Sequence, residues 1–228
     1  MRALTVSLVV ASLASVGGAA LAQESGPFDG LYVGGHVGIA DHTMSLSDFD
    51  YEWYGGTLDL RTDGVVYGLQ VGRNWQTGST VFGIEFDYGV ASLSESFDHS
   101  LSLDQEYFVR GESELNALAS LRFRGGLAID RTLLYFTGGA ALIDVDGSWI
   151  GRPGGPADSW PDLGGSESGW TFGAGFEHRV AESSLSWRVE ALWGIFGDYD
   201  VFSPESVRPR RVVGNEALQL RFGVSYMF

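Results

Sequence analysis

Residues 217–228, the last twelve of the chain, read ALQLRFGVSYMF. Leucine, phenylalanine, valine or tyrosine occupies every second position, and the positions between them include Gln219, Arg221, Gly223 and Ser225. Successive side chains of a β-strand point to opposite faces of its sheet. This stretch therefore predicts a strand with one fully apolar face and one polar face.

Seven segments upstream show a similar alternation of apolar and polar residues. Together with the last one, they cover residues 30–40, 64–75, 80–91, 114–129, 132–143, 169–180, 185–196 and 217–228. In the fifth segment the apolar residues Leu133, Leu134, Tyr135 and Phe136 are consecutive, so the facing of its side chains stays open. The pattern predicts an all-β chain of eight antiparallel strands.

The connections between these segments are short and long in turn. The three short ones cover residues 76–79, 130–131 and 181–184, and the four long ones, of about twenty residues each, cover 41–63, 92–113, 144–168 and 197–216. Soluble domains rarely carry several loops of that length, whereas outer-membrane barrels have short periplasmic turns and long extracellular loops. We therefore predict an eight-stranded antiparallel transmembrane β-barrel with four long extracellular loops and three short periplasmic turns.

The volume of such a barrel decides which face of the strands is inside. A soluble lipocalin-like barrel, the main structural alternative, would place the apolar face inward. The interior of an eight-stranded barrel is just wide enough to be filled by side chains, and the large apolar and aromatic residues of these segments are too many to fit there. We expect the apolar face to meet lipid and the glycine-rich polar face to line the interior.

The N-terminal residues and the composition indicate an exported protein. A basic start, an apolar run over residues 4–16 and the small residues 20–22 are typical of a cleaved signal peptide. We assign residues 1–22 to a signal peptide and residues 23–228 to a barrel in the cell outer membrane. The chain has no cysteine, which excludes disulfides, and its net charge of −15 argues against a nucleic-acid partner.

Several stretches resemble a known family: GWTFGAGFE at 169–177, WRVEAL at 187–192, DRTLLYFTGG at 130–139 and the terminal Phe228. They resemble the small outer-membrane β-barrels of the porin-family or opacity-like surface antigens. The resemblance implies surface-exposed loops and offers no catalytic residues and no cofactor. It also implies that the barrel-assembly machinery reads the apolar face of the last strand, formed by Phe222, Val224, Tyr226 and Phe228.

The polar faces of the strands carry charges of both signs. The predicted interior charges are Glu85, Asp87, Arg122, Arg124, Glu177, Arg188, Glu190 and Arg221. A turn that pairs Val180 with Leu185 would place Glu177 opposite Arg188, a favourable cross-strand pair. We expect a salt-bridged plug that fills the interior, and the alternative is a narrow ion or small-solute channel.

The predicted loops hold most of the acidic residues and one cluster of arginines. Arg208, Arg210 and Arg211 could bind lipopolysaccharide phosphates, and local pairing with acidic neighbours is the alternative. The loop carboxylates could hold divalent cations, but no stretch has the spacing of a calcium loop. We expect a solvated acidic surface and no metal site.

Three functions remain open on the sequence: a structural surface protein, a narrow channel and a lipid-modifying enzyme. None of the four histidines lies in a recognisable nucleophile elbow, and we expect His42 and His99 in loops. We therefore expect a non-enzymatic, monomeric protein that contributes to envelope integrity and makes contacts through its loops. Its expected partners are outer-membrane lipid, lipopolysaccharide and the barrel-assembly machinery.

Overall fold

Antiparallel strands close into a barrel in the computed structural model, which describes residues 26–47, 57–100, 108–151, 165–197, 199–201 and 210–228. In chain order the strands are β1 (Gly30–Ser47), β2 (Thr57–Thr77), β3 (Thr80–Ser100), β4 (Phe108–Ile129), β5 (Thr132–Gly151), β6 (Gly165–Arg179), β7 (Leu185–Phe196), β8 (Tyr199–Val201) and β9 (Arg210–Met227). The three-residue β8 prolongs the ladder that β7 forms with β9. Each long strand pairs with the next, and β1 pairs with β9, which confirms the predicted closed barrel of eight strands.

Three tight turns join β2 to β3, β4 to β5 and β6 to β7. Gly78 and Asp130 begin the two-residue turns with φ of 60° and 52°, the left-handed conformation that short hairpin turns require. The third turn, residues 181–184, contains Glu182 at φ 54°. All three turns lie at one end of the barrel, the end expected from the sequence to be periplasmic.

The strands direct their apolar side chains outward and their polar side chains inward, which confirms the predicted sidedness. On β4, Phe123 is 69% exposed while the neighbouring Arg122 is 0% exposed. The facing of β5, which the sequence leaves open, is settled by burial: Leu133 and Tyr135 face the interior, and Leu134 and Phe136 face outward. Among the residues described, no helix is long and apolar enough to cross a membrane.

The strand ends farther from the turns were predicted too short. β1 continues past residue 40 to Ser47, and β2 begins at Thr57 instead of residue 64. Parts of the predicted loops 41–63, 92–113, 144–168 and 197–216 are therefore strand, and His42 and His99 lie in β1 and β3, so their assignment to loops was wrong. The reason is that the apolar alternation ends where the strands leave the lipid-facing band, whereas backbone pairing continues.

Glycines provide the room that the large interior side chains need. Gly72 lies opposite Tyr32 in the ladder, and a Cβ at that glycine would lie 2.3 Å from the tyrosine hydroxyl. Gly175 lies opposite Tyr135 in the same way, and its Cβ would lie 2.7 Å from the tyrosine ring. The narrow interior therefore accommodates long polar side chains because the facing position on a neighbouring strand has none.

Candidate functional site

The eight predicted interior charges are all buried within the barrel. Arg122 lies at the middle of the group: its guanidinium donates to a carboxylate oxygen of Glu85 and to Glu190 Oε2, the latter at 3.1 Å. Arg221 donates to the same Glu190 oxygen at 2.6 Å and to Asp87 Oδ1 at 2.9 Å. These contacts join side chains from β3, β4, β7 and β9 across the interior.

A second set of contacts extends this network toward the turns. Arg124 donates to Glu177 Oε2 at 2.7 Å, and Ser186 Oγ donates to the other Glu177 oxygen at 2.7 Å. Arg188 donates to Glu85, which also accepts a hydrogen bond from the Tyr32 hydroxyl at 2.6 Å. Arg124 Nη1 lies 3.8 Å from Glu85 Oε2, so the eight charged residues form one connected group, which we call the ionic network.

The charges of the ionic network balance. Its members are the four carboxylates of Glu85, Asp87, Glu177 and Glu190 and the four guanidiniums of Arg122, Arg124, Arg188 and Arg221. Moving an ion out of water costs several kcal/mol, which attraction offsets only where each charge has good partners. The contacts of Glu85 with several guanidiniums, and of Arg221 with two carboxylates, meet that condition. The network therefore fills the interior without a net charge.

The predicted cross-strand neighbours are aligned, but each has its ion pair with a different strand. Val180 N donates to Leu185 O at 2.9 Å, and Glu177 lies opposite Arg188 in the ladder of β6 and β7. Glu177 is paired with Arg124 of β4, and Arg188 is paired with Glu85 of β3. Ion pairs in this interior therefore also form between strands that are not neighbours in the sheet.

Two tyrosines take part that sequence reasoning missed. Tyr32 donates to Glu85, and Tyr135 donates to Glu190 Oε1 at 3.0 Å. The guanidinium carbon of Arg124 lies 4.0 Å from the centre of the Tyr135 ring, a cation–π contact. The signal that could have found both tyrosines is the glycine opposite each of them.

Apolar clusters lie on both sides of the ionic network. Along β9, Met227 belongs to the cluster near the turns, Arg221 to the network and Ala217 to the cluster at the other end. The cluster near the turns consists of Phe28, Tyr32, Val81, Leu133, Tyr135 and Met227. The cluster at the other end consists of Ala40, Val66, Leu118, Ala141, Ile143, Phe196 and Ala217. The charged middle of the interior is therefore enclosed by apolar layers.

The residues before β1 close the turn end of the barrel. Phe28 is fully buried, and its backbone N–H donates to Gln76 Oε1 at 2.9 Å. Gln76 N donates in return to Asp29 Oδ1 at 3.0 Å, and Arg179 donates to Pro27 O at 2.8 Å. Side chains of β2 and β6 thereby hold this segment in place, a contact that no motif in the sequence indicates.

The remaining predicted site residues lie outside the ionic network. Phe222, Val224, Tyr226 and Phe228 are all exposed on the outer face at the end of the chain. Arg210 and Arg211 lie at the start of β9, at the end of the barrel away from the turns. Arg208 lies outside the described residues. Among the residues described, no group of three or more His, Asp or Glu side chains is placed to hold a metal ion.

Comparison with known proteins points to one family and fold. The sequence matches the family described as outer membrane protein beta-barrel domain over residues 8–228. It is 31% identical over 159 residues to the 31 kDa outer-membrane immunogenic protein of Brucella melitensis, covering 66% of this chain and 64% of that protein. It is 28% identical over 208 residues to the 22 kDa outer membrane protein of Rhizobium leguminosarum, covering 90% and 81%. Among solved structures, the outer membrane protein OprG from Pseudomonas aeruginosa shares the fold, with a TM-score of 0.54 at 12% identity over 89% of this chain and 99% of that one.

Proposed function

Since this chain belongs to the outer membrane protein beta-barrel domain family, we propose that it is a non-conducting barrel that contributes to envelope integrity and presents its loops at the cell surface. The protein is located in the cell outer membrane, and the names of its relatives describe them as outer-membrane proteins. The observation that carries the proposed role is the enclosed ionic network. A barrel whose interior is filled by this network is suited to holding its loops at the cell surface and not to conducting solutes.

The main alternative is a narrow channel, and the interior argues against it. An ion on its way through would have to displace the contacts of Arg122 and Arg221 with Glu190, which are buried on all sides. It would also have to cross the cluster around Phe28 and the cluster around Leu118, where most of the buried side chains are apolar and offer few ligands for an ion. These two barriers favour a closed barrel.

Purified protein inserted into planar lipid bilayers is expected to show no unitary conductance, because the ionic network and both apolar clusters block the interior. Glu190→Gln and the rim variant Arg61→Gln serve as interior and exterior comparisons, since the Arg61 side chain is 73% exposed. The channel would be established instead if the unaltered protein showed steady unitary conductance steps. The size of these steps would have to change in Glu190→Gln and stay the same in Arg61→Gln.

An enzyme that modifies lipid is the third function, and the described interior carboxylates at the middle of the ionic network do not favour it. The buried carboxylates of Glu85 and Glu190 are held by guanidiniums on several sides, which opposes a role as general base. We expect lipid A mass spectra of cells with and without the protein to be the same. A mass difference in lipid A that appears only with the protein would contradict the non-enzymatic proposal.

The loops are the proposed site of contact with the surroundings. One relative carries the word immunogenic in its name, which supports loops that face the exterior of the cell. We further propose lipopolysaccharide as a neighbour of Arg208, Arg210 and Arg211, and a monomeric barrel. Protease treatment of intact cells is expected to cut within the loops and to spare the barrel, whereas a chain that is untouched until the cells are broken would contradict surface presentation.

The last residue is proposed to be part of the signal for the barrel-assembly machinery. Phe228 is 75% exposed and its backbone N–H donates to Leu31 O at 2.9 Å, a bond that Phe228→Ala retains. We expect Phe228→Ala to lower the yield of barrel in outer-membrane fractions several-fold while refolding in detergent normally. Phe136→Ala, which removes an exposed ring from β5, is the control. Equal yields of both variants in cells would count against the signal.

A further inference from the structure

Arg73 breaks the apolar pattern of the barrel's outer face. It is a charged side chain on the part of that face near the turns, where Leu31 and Ile84 lie opposite it on β1 and β3. Its guanidinium carbon lies 5.4 Å from the centre of the Trp75 ring, one outward position closer to the turns. Arg73 Nε is buried and has no hydrogen-bond partner among the described residues.

The place of Arg73 in the membrane indicates what its guanidinium meets. A charge on the lipid face is costly at the centre of the bilayer and tolerated near the interface. Arg73 lies five positions before the turn at Gly78, and the stacked rings of Trp75 and Phe82 mark the periplasmic interface beside it. Anionic phosphates of the inner leaflet lie at that level, and the guanidinium fork matches a phosphate with two parallel hydrogen bonds.

A groove lies on the same face, nearer the middle of the membrane. It has a volume of about 460 Å³, and its outer walls are the exposed side chains of Val37, Tyr67, Leu69, Phe222 and Val224. Gly35 forms its floor: it is the outward-facing residue of β1 that lies opposite both Leu69 and Val224. The groove exists because this position has no side chain, and it is continuous with the surface that meets acyl chains.

Arg73 and the groove are aligned along one strand. Leu69 and Arg73 point to the same side of β2 and are four residues apart, about 13 Å at the rise of a β-strand. Val71 lies between them and is 49% exposed on the same face. An acyl chain whose headgroup lies at Arg73 is long enough to run past Val71 and reach the groove.

We propose that the outer face of β9, β1 and β2 binds one phospholipid of the periplasmic leaflet, with its phosphate on Arg73 and one acyl chain in the groove above Gly35. The positive charge of Arg73 is complementary to the phosphate of the headgroup. The groove is suited to an acyl chain because it is continuous with the lipid-facing band. The proposal depends on the outer-membrane location and is independent of whether the interior conducts.

Native mass spectrometry of the folded barrel in nonionic detergent, titrated with phosphatidylglycerol, tests the site. We expect one lipid to bind saturably, and Arg73→Gln to raise its apparent Kd about tenfold, the effect of losing a charge-assisted hydrogen bond. Gly35→Val is expected to raise it severalfold by filling the groove. The backbone tolerates the added Cβ, whose nearest neighbour at Gly35 would be Gly68 O at 3.4 Å.

Each variant has a matched control. Arg61→Gln removes an exposed arginine at the opposite rim, and Gly125→Val adds a side chain to the outer face of β4, where a Cβ would have no neighbour within 4 Å. Heat-shifted gel mobility shows that all four variants are folded. Unchanged binding in both controls with weakened binding in both test variants supports the site. The proposal is overturned if Arg73→Gln matches Arg61→Gln, if Gly35→Val matches Gly125→Val, or if binding does not saturate.

Discussion

Replacing Arg122 with methionine is expected to lower the free energy of unfolding by about 3–5 kcal/mol. The guanidinium is fully buried and bridges Glu85 and Glu190. Methionine keeps much of the volume but leaves four buried carboxylates facing three guanidiniums. Urea unfolding of the protein folded in lipid vesicles, followed by tryptophan fluorescence, measures the loss.

Two comparisons separate the missing charge from other effects of the substitution. Arg61→Met breaks the pair with Asp41, whose closest atoms are 2.9 Å apart, but at an exposed position it is expected to cost about 1 kcal/mol or less. Adding Glu190→Gln to Arg122→Met restores the charge balance, so the double variant is expected to lose less stability than the two single losses combined. A loss for Arg122→Met no larger than that for Arg61→Met would mean that water reaches the network.

The alternation of residues was sufficient to predict the strands and, except for β5, their facing within the membrane. In residues 217–228 a shift of one position would exchange Arg221 with Phe222 between interior and lipid, so the pattern allows a single register. Beyond the lipid-facing band, the outer face of a strand meets water, and polar residues such as His42 and Thr62 are buried on the inner face, so no alternation of apolar and polar residues is required there. The continuation of β1 to Ser47 and the start of β2 at Thr57 therefore left no mark in the sequence.

The members of the ionic network could be predicted, but most of its pairs could not. Position parity places Glu85 and Arg188 inside, yet they meet from β3 and β7, which are not neighbours in the sheet. Which residues meet across a barrel depends on the tilt and stagger of its strands, and a single turn does not reveal these. A turn does fix its own two strands, which is why the alignment of Glu177 with Arg188 could be read in advance.

Replacing Phe222 with arginine tests the lipid-facing side, because it adds a charge where Arg122→Met removes one. Phe222 lies on the outer face between Val37 and Val189, and its ring stacks on Trp187 with centres 6.3 Å apart. An arginine at mid-membrane depth on a barrel's outer face costs about 2–4 kcal/mol, and near the interface about 0–1 kcal/mol. We expect Phe222→Arg to lower the free energy of unfolding by the larger of these amounts. The measurement is made in lipid vesicles, where refolding requires no assembly machinery.

Tyr226→Arg supplies the comparison of depth. It lies on the same face of β9, four residues closer to the periplasmic end, and it is as exposed as Phe222, at 47% for each. The two variants introduce the same charge into the same strand, so the difference between their losses measures how the cost of that charge changes with depth. Equal losses would mean that hydrocarbon does not surround the barrel at Phe222, and the assignment of the apolar face to lipid would fail at that level.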